Sequence, residues 1–86
     1  MYTTYVICNQ TGKIYIGQTE NLVLRLKRHN QELPSKSSSY THKNKGPWKV
    51  IHTENFLTRA DAVTREKELK NFQGRQYIKN LLNMRP

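Results

Sequence analysis

Tyr15, Ile16 and Gly17 end a short strand-like run, and Arg25 and His29 follow ten and fourteen residues beyond Tyr15. A second phenol, Tyr5, stands on the preceding run, and one carboxylate, Glu66, falls on the apolar stripe of a later helical pattern. Two phenols, a guanidinium, an imidazole and a carboxylate are the groups needed to cut a phosphodiester with one divalent metal ion. Taken singly, each has an ordinary reading. Glu66 could form an i,i+4 ion pair with Lys70, Arg25 could be a solvated helix charge, His29 a helix-end residue, and Tyr5 and Tyr15 strand aromatics. Their coincidence at compatible positions favours chemistry.

The chemistry assigns each group a use. A single carboxylate, with water and phosphate oxygens completing an octahedral shell, is a normal Mg²⁺ site in phosphoryl chemistry. A guanidinium donates paired hydrogen bonds to phosphate oxygens and matches the charge that develops on phosphorus. An imidazole four residues on can donate to phosphate or manage protons near neutral pH. A phenol titrates near 10, so either tyrosine could deprotonate water only if neighbouring positive charge favoured phenolate.

These residues need elements to hold them. Tyr2 to Cys8 and Lys13 to Gln18 read as strands around the turn residues Asn9-Gln10-Thr11-Gly12, a β-hairpin. For Tyr5 and Tyr15 to share a face, paired positions must sum to an even number, as in Tyr5 opposite Tyr15 and Cys8 opposite Gly12, which requires a three-residue loop or a bulge at Gly12. Thr19 or Asn21 can cap a helix running to about Asn30, with Leu22, Val23 and Leu26 as its inward stripe and Arg25 and His29 at the stripe's edge. Lys27 and Arg28 are left to solvent. Gln31 to Gly46 reads as a polar loop, and Trp48 to Phe56 as a third strand opened by Pro47. Thr58 caps a second helix, with Asp61 three residues on, and Gly74 is placed at its C′ end. Arg75 to Leu82 forms a last helix. The order is β-β-α-β-α-α, an α+β fold in one domain over residues 1–86.

Length and charge bound the rest. At 86 residues the core must be small. The single cysteine, Cys8, excludes an intramolecular disulfide and a cysteine-rich zinc site, and with no leader-like or membrane-spanning run the expectation is a cytoplasmic protein. Fifteen Lys and Arg against six Asp and Glu give a net charge of +9, as expected of a protein that meets a polyanion. From Lys13 to Lys49 there are eight basic residues and two acids, so the front half carries most of the excess. Lys36, Lys43, Lys45 and Lys49 are therefore candidate contacts to nucleic acid, with Trp48 or Tyr40 able to stack on an unpaired base.

Tyr5, the Tyr15-Ile16-Gly17 triplet, Arg25, His29 and the helical Ala62-x-x-x-Glu66 resemble the GIY-YIG nuclease superfamily, most closely its small stand-alone bacterial members related to the N-terminal nuclease domain of bacterial excinuclease. The likeness runs from Tyr2 to about Leu82. It implies a three-stranded antiparallel sheet flanked by helices, and hydrolysis of phosphodiesters with one Mg²⁺ or Mn²⁺ ion. It further implies that Glu66 holds the metal, that Arg25 binds the scissile phosphate, and that Tyr5 assists or acts as base toward water with support from Tyr15 and His29. The first motif is here Thr3-Thr4-Tyr5, so only its tyrosine is retained. Relatives place an asparagine beyond the metal ligand, for which Asn71 and Asn80 are both available; His42 is a further loop candidate.

The expected function is a metal-dependent endonuclease, with DNA favoured over RNA, in DNA repair or recombination. No element is spare for reading the major groove, so recognition should rest on backbone and structure rather than base sequence. The alternatives are a non-catalytic nucleic-acid-binding module and an accessory subunit whose protein partner supplies specificity.

Overall fold

The computed structural model describes residues 1–30 and 46–83. In it β1 (Tyr2–Cys8) and β2 (Ile14–Thr19) make the hairpin, α1 (Leu22–His29) comes next, and β3 (Lys49–Phe56) leads into α2 (Arg59–Lys70) and α3 (Phe72–Asn83). Among the described residues the order is the expected β-β-α-β-α-α. The strands form one antiparallel sheet, ordered β2-β1-β3, so the hairpin's first strand is central.

The hairpin keeps the required parity, but its pairing differs by two residues from the Tyr5–Tyr15 example. Tyr5 lies opposite Gly17 and Cys8 opposite Ile14. The turn decides this. Asn9 N–H donates to the Lys13 carbonyl at 3.1 Å and Gly12 N–H to the Asn9 carbonyl at 3.2 Å, so the three-residue loop is Gln10-Thr11-Gly12. Its third residue needs a left-handed backbone, and Gly12 supplies it at φ 85°. Closing the loop on Cys8 and Gly12 would put β-branched Thr11 there instead. The Asn9 side-chain oxygen fixes the turn by accepting from the Thr11 and Lys13 N–H groups, at 3.1 and 2.9 Å.

Alternation along the strands divides the core between the two faces of the sheet. On one face Tyr5, Ile7 and Trp48 are buried together, with Tyr15, Val50 and the α1 residues Leu22 and Leu26 packed on them. On the other Val6 and Ile16 meet Leu69 of α2 and Ile78 of α3. Two expectations fail here. The third strand begins at Lys49, and Trp48 before it is only 2% exposed, so its ring is a core group rather than a stacking platform. Val23 is 66% exposed. The inward line of α1 is Leu22, Arg25, Leu26 and His29, which are i, i+3, i+4 and i+7, and Val23 stands off that line.

Asn21 caps α1, its side chain accepting from Leu24 N–H at 3.1 Å, and Thr58 caps α2 through Asp61 N–H at 3.2 Å. The second helix stops at Lys70, not Gly74, because Asn71 ends α2 in extended backbone and turns its side chain to cap the next helix, accepting from Gly74 N–H at 2.8 Å. Gly74 thus lies in the first turn of α3, against α2. A Cβ there would overlap the Leu69 backbone and the Glu68 carbonyl. No helix among the described residues is long and apolar enough to cross a membrane.

Candidate active site

The central strand carries the site's buried anchor. Tyr5 is fully buried, and its hydroxyl lies 2.7 Å from His29 Nε2 and 3.3 Å from Arg25 Nε, which donates to it. Because Arg25 and His29 are one turn apart on the inward line of α1, both reach the same phenol. Tyr15 completes the group: its ring centroid is 4.7 Å from the His29 ring and 6.1 Å from that of Tyr5. Gly17 makes room. A Cβ there would lie 2.8 Å from the Tyr5 hydroxyl and 2.9 Å from Tyr15 Cε1, so the glycine opposite Tyr5 lets the two phenols converge.

Electrostatics follow from this packing. Burial raises the Tyr5 pKa above its usual value of 10, outweighing the hydrogen bond from Arg25, and the nearby charges of Tyr15 and Glu66 act in the same direction as burial. Burial also pushes His29 down to about 4, helped by the Arg25 charge. At neutral pH both groups are uncharged. Arg25 Nε donates to the Tyr5 oxygen and His29 Nε2 shares a hydrogen bond with the same hydroxyl, which links Arg25 through Tyr5 to His29. The Tyr5 hydroxyl above all, and Tyr15 besides, favours the charged Arg25 against the opposing effect of burial. Tyr5 is consequently placed to orient its neighbours rather than to take a proton from bulk water, while half-buried Tyr15 lies nearer the surface.

His29 carries a stability prediction. Its imidazole titrates near 6.5 in the unfolded chain and near 4 in the folded one, so the unfolded chain binds more protons between those values. Stability should fall by about 1–2 kcal/mol as pH drops from 7 to 5, and level off once pH is below the folded value. Urea midpoints at pH 7 and 5 measure this, and His29→Asn should flatten the difference.

Glu66 approaches from the other side of the sheet. On α2 it lies between buried Ala62 and Leu69, four residues after the first and three before the second. Thr4, beside Tyr5 on β1, donates from Oγ1 to the Ala62 carbonyl at 2.8 Å, which ties this turn of α2 to the central strand. The carboxylate is near enough for its charge to act weakly on Tyr5. Its Oε2 accepts from Lys70 Nζ at 2.8 Å, so the ordinary i,i+4 ion pair is also present, and Oε1 is left without a partner among the described residues. No group of three or more His, Cys, Asp or Glu converges among them. Glu66 would suit a hard cation held by one carboxylate oxygen, with water and phosphate supplying the rest.

The lysine competes with such a cation for the carboxylate. An exposed i,i+4 pair stabilises by about 0.3–0.5 kcal/mol, so Lys70→Gln should tighten Mn²⁺ binding about twofold in a titration followed by calorimetry.

The remaining candidates distribute as follows. Lys36, Tyr40, Lys43, Lys45 and His42 lie outside the described residues. Lys49 is exposed at the start of β3, the edge strand away from β2. Trp48 is buried against Tyr5. Asn71 uses its side-chain oxygen as a helix cap, and Asn80 is exposed on α3. Two positioning residues escape sequence reasoning. Thr4 is one, since nothing local marks a strand threonine as the partner of a helix carbonyl. Asn30 is the other: its side chain accepts from Trp48 N–H at 2.6 Å and donates to the Trp48 carbonyl at 3.3 Å, pinning the end of α1 to the approach of β3.

Comparison with known proteins places the family and the fold. The family model described as the GIY-YIG catalytic domain matches residues 1–80. A UPF0213 protein of Staphylococcus haemolyticus is 31% identical over 75 residues, covering 87% of each chain. One of Enterococcus faecalis is 36% identical over 78 residues, covering 87% of this chain and 86% of the other. The solution structure of a UPF0213 protein from Bacillus halodurans superimposes with a TM-score of 0.53 at 23% identity, over 94% of this chain and 85% of that one, a likeness of fold.

Proposed function

Because the chain belongs to the GIY-YIG nuclease superfamily, we propose that it is an endonuclease that hydrolyses DNA phosphodiester bonds with one Mg²⁺ or Mn²⁺ ion. The observation that carries this reading is the convergence of Arg25 and His29 on the buried Tyr5 hydroxyl, beside Tyr15 and within reach of the Glu66 charge. Arg25 binds the scissile phosphate and stabilises the charge that grows on its oxygens during displacement. Tyr5, neutral and buried, fixes the orientation of Arg25 and His29. Tyr15, nearer the surface, orients the attacking water, His29 holds the Tyr5 hydroxyl in place, and the proton lost by the water passes to solvent. Glu66 would hold the metal, which when bound supplies Lewis-acid stabilisation and a more acidic water.

The small basic domain has no spare helix or ribbon among its described elements for reading base edges, which supports a substrate chosen by structure and a setting in DNA repair or recombination. The net charge of +9 supports a polyanionic partner. A second reading, a non-catalytic nucleic-acid-binding module, is favoured by one observation: the Glu66 carboxylate is already in an ion pair with Lys70.

A cleavage panel of duplex, flap and single-stranded DNA, with matched RNAs, separates the two. With Mg²⁺ or Mn²⁺ the intact protein should cut DNA, and Glu66→Ala should abolish cutting while circular dichroism shows an unchanged fold. Salt-sensitive binding without cleavage on any substrate would establish the binding module instead.

A further inference from the structure

Beside the proposed catalytic group, at the end of β2 remote from the hairpin turn, lies an open cavity of about 340 Å³. That is at the small end of the range for ligand pockets. Among the described residues it is walled by Gln18 to Asn21, Leu24 and three arginines, Arg25, Arg28 and Arg59. The arginines come from two elements that are far apart in sequence. Arg25 and Arg28 are on α1, and Arg59 opens α2. Arg28, left to solvent by the sequence reading, instead faces the same space as Arg25.

Among the described residues the charge in this cavity is only partly compensated. The acid in its wall is Glu20, 3.9 Å from the Arg59 guanidinium, and both side chains are more than 60% exposed, so the pair is weak. The Arg59 guanidinium sits over the Tyr2 ring at 5.4 Å, an arrangement that holds the arginine in position. Arg28 has no ion pair among the described residues. Three guanidiniums against one solvated carboxylate leave an excess of two positive charges in a concave site, which suits a phosphate. The buried Gln18 Oε1 in the same wall has no hydrogen-bond partner among the described residues. It is an acceptor, suited to an amino group on a base or to a bridging water rather than to phosphate.

We infer that this cavity is a subsite for the nucleotide adjoining the scissile bond, with Arg28 and Arg59 gripping its phosphate as positioning residues. The inference rests on the nuclease reading for its register, since Arg25 both touches the Tyr5 hydroxyl and lines the cavity. One guanidinium shared between the two places makes them consecutive stations for one strand. The substrate strand must then continue past the scissile phosphate on the Arg28 and Arg59 side.

Binding of fluorescent single-stranded and flap DNA to the intact chain, measured by anisotropy in EDTA across a NaCl series, tests this without cleavage. Arg28→Gln and Arg59→Gln should each lower the salt slope of log K by about 0.7–0.9, one phosphate contact, and Arg28→Lys should restore it. Lys13→Gln, at the opposite end of β2, removes the same charge and should change the slope far less. In cleavage assays the two arginine variants should raise KM more than they lower kcat. Slopes that fall no further than that of Lys13→Gln overturn the subsite, whether or not the protein cuts DNA. A protein that cuts nothing, yet shows the arginine-specific slopes, keeps the subsite and loses the nuclease reading.

Discussion

Replacing Arg25 with alanine should lower the metal-dependent cleavage rate by about 10²–10³ under saturating substrate, the usual cost of removing a preorganised donor from a developing oxyanion. The side chain occupies the inward line of α1 and is half-buried, but its charge and its bond to the Tyr5 hydroxyl, not an apolar contact, are what it brings. The fold should therefore persist, which far-UV circular dichroism checks. Arg25→Lys should recover little. A planar guanidinium can spend Nε on Tyr5 and present its other nitrogens elsewhere, whereas an ammonium on a flexible stem cannot hold both directions at once. Single-turnover rates for wild type, Arg25→Ala and Arg25→Lys decide the matter. A lysine variant as active as wild type would show that only the charge counts, and that the link from Arg25 through Tyr5 to His29 is incidental.

That link was only partly legible in the sequence. The parity that puts Tyr5 and Tyr15 on one face follows from strand alternation alone. The register did not, because it depends on which loop position takes a left-handed backbone, and Gly12 claims the third place in the loop. A 100° wheel places Arg25 and His29 near the apolar stripe of α1, yet it ranked Val23 above them. Hydrophobicity was the guide there, while the structure buries His29 to 5% exposure because the Tyr5 hydroxyl provides it with a partner. Glu66 stood out because a carboxylate between apolar positions is conspicuous, and the structure does place it between buried Ala62 and Leu69 on α2. Thr4 and Asn30 were not, since each acts through a backbone group distant in sequence. The boundary between α2 and α3 was misplaced for a related reason: a glycine signals a helix end by default, and here Asn71 makes the break while Gly74 fills a place with no room for a Cβ.

Trp48 shows most sharply what burial changes. An indole beside a basic, polar stretch suggests a stacking platform, and its alanine variant would then keep its stability and lose about 1–3 kcal/mol of single-strand binding. The structure predicts the reverse. Trp48 is among the largest fully buried side chains, packed with Tyr5 and Ile7 and held through its backbone by Asn30. Removing it should cost about 3–5 kcal/mol, against a total stability on the order of 5–10 kcal/mol for a domain of this size. Trp48→Ala should thus be marginally folded or unfolded at 37 °C, with a much lower urea midpoint. Trp48→Phe should remain folded and lose a smaller share of the stability. Because the ring packs on the phenol that orients Arg25 and His29, the folded phenylalanine variant should also cleave more slowly while its salt slope of binding is unchanged. A stacking residue would show the opposite pair of effects, with binding weakened and the chemical step spared.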